Sequence, residues 1–107
     1  MMRTESFVTT GKARVLFLVR VAAGAEQRFV DAYDTIRHEV ASVPGHLLDQ
    51  VCQSTDDPSQ WLITSEWSSA DHFLAWERGD AHRHLVRPLR DCVEQRQSLR
   101  FHVVRET

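Results

Sequence analysis

The chain has 107 residues, 42% hydrophobic and 26% charged, which is one ordinary globular domain with little length to spare. Its formal net charge is -2, and the cations are scattered, all but Lys12 being arginine. That balance argues against nucleic acid, whose phosphates call for clustered positive charge, and the longest apolar run, Val15 to Val19, is too short to span a membrane.

Residues 1–12 are polar and without period, and they read as a flexible arm ending at Gly11. They contain no apolar stretch of signal-peptide length. Cys52 and Cys92 are far apart, with no CxxC pattern. A cytoplasmic location with reduced thiols is the expectation. Residues 13–107 form the domain. Ala13 to Ala22 is rich in β-branched and aromatic residues and predicts a strand. Val15, Phe17, Val19 and Val21 share one face, and Leu16, Leu18 and Arg20 the other. Both faces are mostly apolar, so both need cover. After Ala23-Gly24, the spacing of Phe29, Tyr33, Ile36, Val40 and Val43 predicts a helix stopped by Pro44-Gly45.

His46 to Ser54 predicts a second strand and Gln60 to Trp67 a third, joined by the turn-forming STDDPS. Ser68-Ser69-Ala70-Asp71 reads as a capping box opening a short helix with Phe73, Leu74 and Trp76, ended by Gly79. Asp80 caps a further helix over Ala81 to Gln95, where Pro88 predicts a kink or break. Ser98 to Arg105 is the last strand. The order is a ferredoxin-like βαββαβ unit of the α+β class, a four-stranded antiparallel sheet with helices on one face. The apolar open face is large for a monomer. A second copy packed sheet to sheet would cover it, giving a homodimeric α+β barrel.

The strand VLFLVRV before Gly24, PGH at 44–46, the run ITSEWSSADHFLAW and the helix through HRHLVRPL carry a family likeness. In these the chain resembles the antibiotic biosynthesis monooxygenase family of dimeric α+β barrels, over about residues 13–105. The resemblance implies a pocket between sheet and helices. In one branch that pocket oxidises anthrones, phenols or quinols with O2 and no metal or flavin. That branch uses a Trp and an Arg that fall on Trp67 and Arg87. Its Asn position holds Ile63, and its Tyr position holds Phe73. A second branch binds and degrades haem. Its Trp falls on Trp76, while Phe17 and Val86 occupy its Asn and His positions. A non-catalytic binder or polyketide cyclase accessory is a third possibility.

A phenolate reacts directly with oxygen, so such an enzyme needs a dry apolar pocket, a group that stabilises an anion, and a proton route. The expected substrate contacts are Phe17, Ile63, Phe73 and Trp76, with Trp67 a further apolar wall. Trp67 offers an indole N–H, Arg87 a guanidinium for a phenolate or peroxide oxygen, and His84 or His82 a proton relay. The competing reading gives the aromatics to core packing and Arg87 to solvent. His82-Arg83-His84 has the look of a metal pair, but on a helix its two imidazoles diverge. No metal and no cofactor are expected. His38, His46, His72 and His102 read as surface or strand-edge residues.

Overall fold

The computed structural model describes residues 9–107. Most of the arm expected at 1–12 lies outside them. Its described end is tied down: Thr10 and Lys12 share backbone hydrogen bonds of 3.0 Å with Val103 beyond the last strand.

The elements are β1 (Ala13–Val21), α1 (Glu26–Val40), β2 (His46–Gln53), β3 (Gln60–Trp67), α2 (Ala70–Glu77), α3 (Asp80–Arg90) and β4 (Val93–His102). The strands form one antiparallel sheet in the order β2-β3-β1-β4. The two strands with apolar residues on both faces, β1 and β3, are central, and the more polar β2 and β4 are the edges. Pairing of Val15 with Ser65, Phe17 with Ile63 and Val19 with Trp61 places these side chains on the face covered by helices.

The core lies between that face and α1. Phe29, Tyr33, Ile36 and Val40 form the buried stripe of α1, packed with Val15, Val19, Val21, Trp67, Phe73 and Leu89. Gly45 ends the connection from α1 at φ +85°, a left-handed conformation that side chains other than glycine resist. Its backbone lies so close to His72 that a Cβ there would fall 2.3 Å from the imidazole Cγ. This close approach docks the start of β2 against α2.

Three expectations shift by a few residues. The cap of α2 is Ser69, whose Oγ accepts from the backbone N–H of His72, so Ser68 stands outside it. Pro88 does not break α3, which continues to Arg90; it sits in the last turn, where little helix remains to disrupt. β4 begins at Val93 and not at Ser98, because β1 needs a partner along its whole length and pairs Val21 with Val93. Helical spacing through Leu85, Leu89 and Val93 is overridden by that pairing.

The other sheet face is open. Leu16 and Leu18 of β1 share it with Leu62, Leu48, Leu99 and Phe101, by the strand registers. Phe101 is 52% exposed and Leu48 36%. Toward one end of this face Arg14 pairs with Glu66 at 2.7 Å, and toward the other Arg20 pairs with Asp57 at 2.9 Å. An apolar centre with charged margins is the anatomy of an interface.

Candidate active site

Between the sheet and the helices lies a mostly apolar cavity of about 130 Å³. Phe17 and Val15 come from β1, Ile63 from β3, Ile36 from α1, and Phe73 and Trp76 from α2. Phe17, Ile63, Phe73 and Trp76 are the four substrate contacts expected from sequence, and the structure brings them together. Helix α3 closes one side with His82, Val86, Leu89 and Arg90. Those positions step by four, three and one, so they form one helical face.

That phase leaves two expected residues outside. Arg87 is exposed and does not line the cavity. His84 is exposed too, and lines a separate surface depression with Leu85, Pro88 and residues of α1. Their places at the cavity are taken by Arg90 and His82. The His82 ring meets Trp76 edge-on, with centroids 4.5 Å apart. Burial holds its pKa below the usual imidazole value, so it is neutral at physiological pH.

Trp67 lies beneath the cavity wall and is fully buried. Its indole N–H donates to Ser65 Oγ at 3.0 Å, which commits the donor that a substrate would have used. The ring stacks on Trp76 at 5.6 Å and meets Phe73 at 5.5 Å and His46 at 5.2 Å. Trp67 therefore fixes the walls in place.

Asp49 is a cavity-lining carboxylate that sequence reasoning missed. Asp49 pairs with Ser65 of β3, in phase with the Val51–Ile63 pair, and so faces the helices by ordinary strand alternation. Its side chain is 11% exposed, and Oδ2 lies 3.4 Å from His46 Nε2. His46, expected at the surface, has a side chain only 8% exposed, because the register irregularity before Leu48 sets it opposite Trp67 on the helix-covered face. Oδ1 of Asp49 and Nε2 of His46 are buried without a hydrogen-bond partner. Burial raises the Asp49 pKa against the opposing pull of His46 and Tyr33. Burial, with the Asp49 charge second, pushes the Tyr33 phenol up to about 12. A carboxylate in an apolar wall, flanked by an imidazole and a phenol, is a proton-accepting arrangement. Among the described residues, no group of three or more His, Cys, Asp or Glu side chains could hold a metal ion. No helix among them is long and apolar enough to cross a membrane.

A family model described as antibiotic biosynthesis monooxygenase matches residues 13–88. The 42.8 kDa protein in the whiE locus of Streptomyces coelicolor is 52% identical over 96 residues, 90% of this chain and 24% of that protein. The polyketide synthase CurD of Streptomyces cyaneus is 46% identical over 104 residues, 97% of this chain and 28% of that protein. The chain thus spans about a quarter of the length of these curated relatives. SnoaB, a cofactor-independent oxygenase from Streptomyces nogalater, superposes with a TM-score of 0.79 at 16% identity, covering 91% of this chain and 96% of that one. At that identity the likeness is one of fold.

Proposed function

The chain belongs to the antibiotic biosynthesis monooxygenase family, and we propose that it oxidises an aromatic substrate of polyketide metabolism, a phenol, anthrone or quinol, with molecular oxygen and no cofactor. One observation carries this reading: the cavity between sheet and helices joins aromatic walls to a few polar groups, Asp49, His82 and Arg90. Aromatic walls hold a flat ring and exclude water, and the polar groups serve the proton and the developing anion. At about 130 Å³ the cavity is smaller than the roughly 300–1,000 Å³ of sites that enclose a drug-sized ligand. It admits the reacting ring, and the rest of a fused system extends outside. Arg90, at the exposed end of the α3 face, is placed to meet an oxygen on that outer part.

The oxygen electrode tests the reaction. Purified protein with a hydroxyanthrone or a naphthohydroquinone should take up one O2 per product formed, above the rate of autoxidation. Chelator should leave the rate unchanged, and anaerobic incubation should stop it. Turnover that continues without oxygen would eliminate an oxygenase. The open sheet face supports a homodimer within the same proposal, since Leu16, Leu18, Leu62 and Phe101 form an apolar surface that a second copy would cover. Sedimentation equilibrium should give twice the chain mass, and Leu18→Glu should shift it to the monomer.

A further inference from the structure

We propose that Asp49 is the group that takes the proton from the substrate hydroxyl, with His46 and Tyr33 holding it in position, an inference that rests on the phenol-oxidising reading above. Three observations meet at this side chain. It lines the cavity among Ile63, Phe17 and Phe73. Its Oδ1 is buried and has no partner within the protein, so one acceptor is left over for a ligand. Its other oxygen lies 3.4 Å from His46, whose ring is backed by Trp67 at 5.2 Å, and the Tyr33 phenol approaches from α1. Folding leaves a carboxylate oxygen unpartnered in an apolar wall only at a cost, and a function is one reason for keeping it.

The surroundings favour this residue over the other titratable groups at the cavity. Burial disfavours the imidazolium that His82 would become on taking a proton, and Trp76 braces the ring edge-on. Glu77 reaches across to Arg100 at 3.3 Å, which engages its carboxylate. Arg90 is a cation and supplies no base. On the α1 side the Asp34–Arg37 ion pair, at 3.3 Å, stands beside Tyr33.

In the step itself the substrate O–H bond breaks and a carboxyl O–H forms on Asp49, while the electron pair stays on the substrate as a delocalised phenolate. The anion gives its electrons to O2, and a bond forms between the activated ring carbon and one oxygen. The peroxide anion takes the proton back from Asp49. That transfer returns the carboxylate to its starting state, and loss of water, made from the proton on that carbon and the distal hydroxyl, leaves the new carbonyl.

The test has two arms. Under argon, 1-naphthol should bind wild-type protein about tenfold or more tightly than 1-methoxynaphthalene, read by quenching of tryptophan fluorescence, because only the former donates to a buried carboxylate. The preference should vanish in Asp49→Leu. Equal binding of the two probes to the wild type overturns the assignment, whatever the oxygen chemistry. In air, Asp49→Asn should lower oxygen uptake about 100-fold or more with phenols that are neutral at the assay pH. With phenols acidic enough to be already ionised it should lower uptake less than about threefold. An equal loss across the acidity series marks a merely structural role and overturns the assignment. A naphthol preference without oxygen uptake by the wild type would support Asp49 and overturn the oxygenase reading instead. Near-ultraviolet circular dichroism of each variant checks that the core is intact.

Discussion

Replacing Asp49 by Asn should make the protein more stable at neutral and alkaline pH. The carboxylate is nine-tenths buried and leaves Oδ1 without a partner. An unsatisfied buried polar atom costs about 1–3 kcal/mol, and more when it is charged. The amide keeps the shape and removes the charge. Its N–H can donate toward His46 Nε2, which itself lacks a partner. A net gain of about 1 kcal/mol follows, equivalent to roughly 4–8 °C in Tm for a domain of this size. The pH dependence has a definite sign. The Asp49 pKa is raised above its ordinary 3.8 by burial. Its protonated form is tolerated in the fold, so its contribution is fully present below pH 3.8 and is lost as pH rises through the higher folded value. The advantage of Asp49→Asn should therefore be near zero at pH 3.5 and grow as the pH rises. Urea unfolding of both proteins at matched concentration between pH 3.5 and 8 measures it. A variant less stable than wild type at pH 8, or an advantage that grows toward acid, would refute the reasoning. A more stable but less active variant is the pattern expected where function holds a destabilising group in place.

Gly45→Ala should cost more than about 2 kcal/mol in urea unfolding, because the left-handed backbone and the contact with His72 both oppose a Cβ. Gly24→Ala, with similar φ but open space around it, should cost only about 1–2 kcal/mol. Ser65→Ala strips the Trp67 indole of its acceptor and should cost about 1–3 kcal/mol, with a change in tryptophan emission. Arg90→Ala should raise KM for an anionic aromatic substrate about tenfold, whereas Arg87→Ala, outside the cavity, should leave kcat/KM within about twofold. Haemin titration should yield no shifted Soret band, since Val86 stands at the ligand position that the haem-degrading branch implies and the cavity is small; a stoichiometric Soret shift would contradict this.

The fold was legible because the central strands are apolar, β-branched runs between turn signals and α1 carries a strict helical stripe. Those patterns grouped Phe17 with Val15 and Val19, and Ile63 with Trp61 and Trp67, while Phe73 and Trp76 were marked by the family resemblance. The edge strand β4 was harder, since its first half, Val93 to Gln97, is mostly polar and becomes a strand by pairing with β1. The polar half of the site was harder still. Arg87 and His84 were favoured by family position and by proximity in sequence. The helix phase, visible in Val86 and Leu89, instead selects His82 and Arg90. Asp49 gave no sign beyond a carboxylate in a strand of mixed character. Alternation does group it with Val51, but a lone carboxylate on that face reads as the polar side of an edge strand; the inward aim of His46 comes from the irregularity at His46–Leu48, which alternation does not reveal.

The alternation along β1 and β3 also divides the protein's heritable variation into two independent sets. Odd-numbered positions address the ligand chamber and even-numbered ones the opposite surface, so a mutation rarely touches both. A lineage can change its chemistry without disturbing how its copies associate, or change association without disturbing chemistry. A laboratory library can follow the same rule, diversifying Phe17 and Ile63 for new substrates while leaving Leu16, Leu18 and Leu62 untouched.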